Sequence, residues 1–453
     1  MPDEIVPQRC VVVLPSTGEF DSRTYRIART LHERGHQVTV LARWKPGLAR
    51  HEIHPAGYQI MRVEATAVDG LPLRALTLPI LRVLRLAARP ILGPASAPGV
   101  GAISADLSAD EADPGWAHPA ARHPGRLRGY ARRARIFLMI RSHRRRGIEA
   151  APAADVYHGM AYMGISVALG LGRRHRARVI YDSRDIYMVA ANLARLRGPI
   201  KAVLARMERG WARAADRVFT VNQPYAEQLA QRFGVEMPVI VMNCSYRFSP
   251  PTPAPRRFHE QLGLDPSTKV ILYQGGFSRG RGVEQLIEAI HQVPNAVLVV
   301  MGYGALEADF RAAAAAEENR GKVHVLPAVP PTELLDWVAS ADVVGVLFQH
   351  DTLNNYLSTP NKFLEAMAAG VPTVCSDHPG MGPIARATGC GVAVDPADID
   401  AIAAAIRTIV DAPPDEHEQR SARALVAAHD IYIWETQVQR LLEEYTRLTG
   451  RRW

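Results

Sequence analysis

The chain has 453 residues, 47% of them hydrophobic, which is room for two or three domains with ample core. Its net charge of +9 comes from 54 Lys+Arg against 45 Asp+Glu, yet ten arginines and no acid fall between Arg122 and Arg146. Without that stretch the chain is near neutral, which excludes a uniformly basic nucleic-acid binder.

From the N-terminus, MPDEIVPQRC lacks the basic and then apolar pattern of a signal peptide, and no window is apolar for long enough to span a bilayer. The expected location is the cytoplasm. Arg9–Pro15 (RCVVVLP) reads as a buried parallel strand. A small-residue loop, Ser16–Gly18, follows. A helix is predicted from about Ser22 to Arg34, stopped by Gly35, and His36–Ala42 is the next strand. This order is a βαβ unit of a doubly wound sheet.

Residues 71–150 interrupt the pattern. Leu71–Leu92 mixes apolar residues with Arg74, Arg82, Arg85 and Arg89, although Pro72, Pro79 and Pro90 limit any helix there to about Ile80–Arg89. Residues 93–121 read as a flexible loop, and the arginine segment encloses the apolar run Ile136–Ile140. One reading is an interfacial element drawn to an anionic membrane surface. The others are a solvated insertion, or a core helix with an arginine-rich outer face. Tyr130 and Phe137 are the only aromatic residues in the arginine segment, too few for a nucleic-acid stacking platform.

The grammar resumes with strands ending at Val179–Asp182 and Val218–Asn222. The proline-dense Ser249–Arg257 is predicted as a linker. Beyond it come strands at Val270–Gln274, Ala296–Met301, Val323–Leu326, Val343–Phe348 and Val371–Ser376, with helices between them. The domains expected are 1–250 with the insertion at about 71–150, a linker at 251–257, a second domain at 258–428 and a final helix segment at 429–453. Cys10, Cys244, Cys375 and Cys390 show no metal-ligand spacing and read as buried free thiols.

Ligands of such sheets sit beyond the carboxyl ends of the strands. There the loop Tyr273–Gly282 (YQGGFSRGRG) runs straight into a helix. Gly275, Gly276, Gly280 and Gly282 admit close backbone approach, the helix start offers free N–H groups, and Arg279 and Arg281 suit phosphate oxygens. The reading is a diphosphate site; its alternative is an exposed turn with two solvated arginines. Gly302-Tyr303-Gly304 is a weaker signal, equally readable as ligand contact or as structure.

The stretch Ser358–Asp377 (STPNKFLEAMAAGVPTVCSD) says most. Thr359 is expected to cap a helix that starts at Pro360 and ends at Gly370. Lys362 and Glu365 share one face. They make either a surface ion pair worth little, or a phosphate cation with a carboxylate that accepts ribose hydroxyls.

These residues resemble the GT4 family of retaining glycosyltransferases. The resemblance rests on Arg281-Gly282, Gly302-Tyr303-Gly304, Pro360-Asn361-Lys362 through Glu365-Ala366 to Gly370-Val371-Pro372, Asp21-Ser22-Arg23 with Gly35-His36, Asp155 to His158, and Tyr181-Asp182. It implies an α/β GT-B fold, two Rossmann-like doubly wound βα domains facing across a cleft. It also implies a UDP- or GDP-sugar donor on the second domain and an acceptor, lipid-linked in many similar enzymes, on the first. Transfer would proceed with retention, with no metal and no cofactor other than the donor. The donor-binding residues would be Gly275, Gly276, Arg279, Arg281, Gly302, Val325, Leu326, Ser358, Asn361, Lys362 and Glu365. His158 would act in catalysis near the donor sugar and diphosphate, unless it is an ordinary core or surface histidine. Ser16, Gly18, Arg23, Asp182 and Asp185 would line the acceptor side, Asp182, Arg184 and Asp185 being alternatively a local ion cluster. The last helix, about Ile431–Leu448, would cross back onto the first domain.

Two departures stand out. The family's glutamate eight residues before Glu365 is Leu357 here, and Asn354, Asn355, Ser358 or Asn361 would have to replace it. The usual arginine early in the glycine loop is absent, Gly276 standing near that place. An epimerase on the same plan and a silent sugar-nucleotide-binding subunit are the competing functions.

Overall fold

The structure is a computed structural model that describes residues 6–19, 21–67, 126–190, 193, 194, 196 and 198–453, the side chains of 126–134 aside. The segment Leu71–Leu92, the loop 93–121 and the first part of the arginine segment lie outside the described residues.

The chain divides into two compact units. The first holds residues up to Thr220, Ala226–Ile240 and Arg440–Trp453; the second holds Val221–Tyr225 and Val241–Gln439. The division therefore falls at Ile240–Val241, upstream of the proline-rich stretch, and the last helix, Trp434–Thr449, contributes to both units. Ser249–Arg256 forms neither helix nor strand, as its prolines require.

In the first unit, β1 (Arg9–Val13), β2 (Gln37–Arg43), β3 (His51–Ile53), β4 (Gln59–Val63), β5 (Val156–Met160), β6 (Arg178–Asp182), β7 (Arg217–Thr220) and β8 (Val239–Ile240) make one sheet. Its order is β3-β4-β2-β1-β5-β6-β7-β8. Every pairing is parallel except β3 with β4. β5 is buried along its whole length, as a strand covered by helices on both faces must be. Asp21 caps the helix Ser22–Glu33 by accepting from the Thr24 N–H at 3.0 Å. Gly35 at φ +87° closes it, with its own N–H and that of His36 returned to the His32 and Leu31 carbonyls.

From Arg126 to Ala150, which takes in the described part of the arginine segment, the chain is a single helix. Its apolar run is not free: Ile136, Phe137, Met139 and Ile140 pack on Ala161, Tyr162, Met163, Tyr187 and Met188. Arg141 and Arg144 remain exposed. Over its described side chains this is a core helix with an arginine-rich outer face.

In the second unit, β9 (Lys269–Gly276), β10 (Ala296–Tyr303), β11 (Val323–Pro327), β12 (Val343–Val346), β13 (Thr373–Ser376) and β14 (Gly391–Val394) form a wholly parallel sheet. Its order is β11-β10-β9-β12-β13-β14. In both sheets the strand order reverses at one place, between β1 and β5 and between β9 and β12. The loops leaving those carboxyl ends are where a doubly wound sheet receives its ligand.

One local expectation fails. The helix that leads into β13 runs Asn361–Ala368 with Pro360 as its N-cap residue, and Thr359 does not cap it. The Thr359 hydroxyl donates to the Gly380 carbonyl at 2.6 Å and accepts from the Asn222 amide at 3.0 Å. Two partners far away in sequence outbid a local cap.

Candidate active site

In the second unit, β9 and β10 stay paired through Gly275↔Gly302 and Gly276↔Tyr303, so the glycine loop begins as strand. The approach is close: a Cβ on Gly302 would stand 1.9 Å from the Gly275 carbonyl oxygen. Gly275 itself has φ +119°, and a Cβ there would lie 3.3 Å from Lys362 Nζ.

Lys362 comes from the first turn of the helix Asn361–Ala368 and is 9% exposed. Its ammonium lies 3.8 Å from the centre of the Tyr273 ring and 5.6 Å from that of Phe348. The Arg281 guanidinium lies over the other aromatic partner, 4.2 Å from the Phe348 ring centre, while its Nε donates to Ser278 Oγ at 3.3 Å. Burial, and then the charge of Arg281, hold the Lys362 ammonium well below the ordinary lysine range, with Glu365 opposing. The surface ion-pair reading of Lys362 and Glu365 does not hold. Lys362 is buried, and Glu365 accepts the Gln274 side-chain amide at 2.8 Å instead.

The other expected donor residues are less uniform. Arg279 is exposed. Val325 and Leu326 lie half-buried on β11, and the Val325 carbonyl accepts from Arg311 at 3.4 Å. Ser358 Oγ donates to the Asn355 carbonyl at 2.9 Å, Asn361 Oδ1 accepts from Asn243 at 2.8 Å, and Asn355 Nδ2 donates to Asp351 at 2.7 Å. Leu357 is buried, and its carbonyl takes the Asn222 amide at 2.8 Å. The candidates for the missing carboxylate's work thus already hold protein partners. Beside them stand three rings that no motif in the sequence connects. His350 stacks on Tyr356 with centroids 4.0 Å apart, and the buried His378 meets Tyr356 edge-on at 4.8 Å.

In the first unit, the carboxyl ends of β5 and β6 carry a buried polar chain. Arg23 Nε donates to Asp182 Oδ2 at 2.7 Å, the same oxygen pairs with His158 Nε2 at 3.0 Å, and His158 Nδ1 meets the Tyr445 hydroxyl at 2.7 Å. Arg23, His158 and Asp182 are at most 1% exposed. Burial alone would raise the Asp182 carboxyl, but the charge of Arg23 and the His158 contact hold it below the usual carboxylate range. Sequence reasoning placed His158 against the donor sugar. The structure encloses its ring fully and occupies both nitrogens, which makes it a link between Asp182 and the last helix. Asp182 joins this chain, while Arg184 pairs with Asp21 at 2.6 Å and also feels the charges of Asp182 and Asp185. The half-buried Asp185 takes the Ser183 hydroxyl on its carbonyl at 2.9 Å. Ser16 sits just beyond β1 with its Oγ buried and without a hydrogen-bond partner among the described residues, and Gly18 turns at φ +81°.

Among the described residues no group of three His, Cys, Asp or Glu side chains is arranged to hold a metal, and all four cysteines are free and buried.

Two doubly wound sheets, parallel but for β3, each with its ligand-facing loops at a reversal of strand order, define the GT-B architecture. The chain matches solved structures of that kind along nearly its whole length. A sucrose-phosphate synthase from Thermosynechococcus elongatus superposes with a TM-score of 0.69 at 17% identity, over 98% of this chain and 99% of that one. HepE of Anabaena, solved with UDP, gives 0.61 at 14% identity over 97% and 100%. WaaG, a glycosyltransferase of lipopolysaccharide biosynthesis, gives 0.57 at 15% over 97% and 100%. Residues 256–424 match the family described as glycosyl transferases group 1, and residues 20–244 the glycosyl transferase 4-like domain. The chain belongs to the GT4-like glycosyltransferases. A D-inositol 3-phosphate glycosyltransferase of Xylanimonas cellulosilytica is 27% identical over 255 residues, 53% of this chain and 58% of that one. The enzyme of the same name from Segniliparus rotundus is 30% identical over 194 residues, 41% of each. The chain spans about half the length of the curated relatives it matches.

Proposed function

We propose that this protein transfers a sugar from a UDP- or GDP-sugar to an acceptor hydroxyl, with retention at the anomeric carbon and without a metal. The observation that carries the reading is the pairing of Arg281 with the buried Lys362, two cations at the carboxyl end of β9 beside a helix start. Such a cluster calls for a doubly charged anion. Arg281 and Lys362 hold the donor diphosphate, with Glu365 on the nucleotide's ribose. In the reaction the bond from the anomeric carbon to the diphosphate oxygen breaks and a bond to the acceptor oxygen forms. The acceptor's proton leaves with the diphosphate. Both cations then stabilise charge that grows on the leaving group. That relatives are D-inositol 3-phosphate glycosyltransferases, and that HepE was solved with UDP-glucose, supports a nucleotide-sugar donor.

The acceptor is proposed to be lipid-linked and met at an anionic membrane surface inside the cell. No helix among the described residues is long and apolar enough to cross a membrane. The helix Arg126–Ala150 spends its described apolar side chains on its own core, so this association is electrostatic, through arginines such as Arg141 and Arg144, at roughly 1 kcal/mol each.

Incubating the protein with UDP- and GDP-sugars, with and without a chelator, tests the enzymatic reading. Donor hydrolysis or transfer, with the product's anomeric configuration read by NMR, is the expected result. Epimerised donor, or an inert complex, would overturn it. Co-sedimentation with anionic vesicles that vanishes at high salt is expected, and its absence at low salt would remove the membrane.

A further inference from the structure

A buried ammonium ordinarily has a carboxylate or several hydrogen-bond acceptors around it, because an ion transferred from water without them is strongly destabilised. Lys362 has neither among the described residues. The charges that face it are Arg281 from the glycine loop and Glu365 from its own helix, and the carboxylate is engaged by Gln274. β9 brings Tyr273, whose phenol is turned to the Gly276 carbonyl at 2.6 Å, and the segment after β12 brings Phe348. The faces of two aromatic rings replace part of the lost hydration. What remains is a cation on a side chain only 9% exposed, beside a second cation and two aromatic rings.

We propose that Lys362 gives up its proton in part of the ligand-free population and takes one up as the donor's diphosphate binds, so that donor binding is proton-linked. The inference rests on reading Arg281 and Lys362 as the diphosphate site. The physical reason is that an arriving diphosphate supplies the two negative charges the ammonium lacks. The balance is one proton taken from solvent onto Nζ for each donor bound by a neutral Lys362, and one returned when the nucleotide leaves. Arg281 cannot share this role, since a guanidinium stays charged at any relevant pH. Burial and Arg281 lower the free-state value, so the neutral form grows as pH rises above it. Donor affinity is therefore greatest on the acid side and falls by at most tenfold per pH unit above that value. A nucleoside, which brings no phosphate, draws no proton.

The test is calorimetric titration of the full chain with UDP-glucose and with GDP-mannose, whose phosphates keep their charge throughout the range. It is run from about pH 6 to about pH 8.5 in buffer pairs of different ionisation enthalpy. Uptake that grows with pH toward one proton, together with weakening affinity, is expected. Lys362→Arg should bind with no uptake and a flat pH profile, and Lys362→Met should bind weakly with no uptake. Uridine and guanosine should show none. Buffer-independent binding by the parent, or the same uptake in Lys362→Arg or Lys362→Met, would overturn the proposal while leaving the diphosphate site in place. Failure of both nucleotide-sugars to bind the parent at every pH would overturn the site itself.

Discussion

Replacing Arg281 by alanine tests the diphosphate site most directly. In the free protein the side chain is half-buried, with one hydrogen bond to Ser278 and a stacking contact on Phe348. Such a contact is worth about 0.5–1 kcal/mol when partly exposed, so thermal unfolding should shift by only a few degrees. The donor complex loses a charge-assisted contact to a desolvated anion, about 1.5–3 kcal/mol. That is roughly 10- to 150-fold in Kd for UDP or GDP. The structure adds a second effect of opposite sign. Removing Arg281 takes away a like charge that depresses Lys362, so the ammonium is more readily kept and part of the affinity returns on the alkaline side. The ratio of variant to parent Kd should therefore be largest near about pH 6 and shrink toward about pH 8.5. Isothermal titration at both ends measures it. Parent-like affinity in Arg281→Ala would refute the assignment, and a ratio that grows with pH would refute the coupling to Lys362.

Glu365→Gln should fold, since an amide oxygen can still accept from Gln274, but should bind nucleoside diphosphates about tenfold more weakly; lost turnover at unchanged nucleotide affinity would give Glu365 a catalytic role instead. His158→Ala should reduce turnover more than nucleotide affinity, through displacement of Asp182, and should lower stability by about 3 kcal/mol or more, because Asp182 and the Tyr445 hydroxyl lose a partner while buried. A fully active His158→Ala protein would take that histidine out of the site. Glu208, buried with the Tyr181 hydroxyl at 2.6 Å, has its carboxyl pushed by burial from 4.5 to about 7. A raised carboxyl favours folding fully below its unfolded value and loses that advantage as pH rises through the folded one, here on the order of 3 kcal/mol by about pH 8. Denaturant unfolding of Glu208→Gln should thus gain on the parent between about pH 5 and about pH 8, and a difference that stays constant would refute it.

What the sequence made legible was local. The glycine loop and the strand before it, the helix with Lys362 and Glu365, and the β-strand runs all rest on composition within some ten residues, where glycine freedom and hydrophobic run length decide the outcome. The details it misjudged or left open were decided from afar. Thr359 has the right type and place for a cap, but its hydroxyl is claimed by Gly380 and by Asn222, 137 residues away. VYH at the start of β5 announces a buried strand, while nothing in those letters says that Tyr445 will reach the ring. Lys362 looks like a surface residue three positions from a glutamate until Tyr273, Phe348 and Gln274 close around it. In the arginine segment the apolar run Ile136–Ile140 suits a bilayer and a protein core equally well, and only the packing partners tell them apart.

The bond between His158 and Tyr445 also sets an order of events during synthesis. Its two residues are 287 positions apart. At a translation rate of about 5–20 residues per second, the ribosome needs roughly 15 to 60 s between them. For most of that interval, once Ile240 has been made, a first unit able to form its sheet holds an imidazole and a carboxylate whose last partner has not been made. The second unit, whose residues are nearly all contiguous from Val241 to Gln439, emerges and can close in the meantime. The first domain to begin folding is thus the last to finish, and a newly made chain has its longest exposure to chaperones and proteases at the carboxyl edge of β5 and β6.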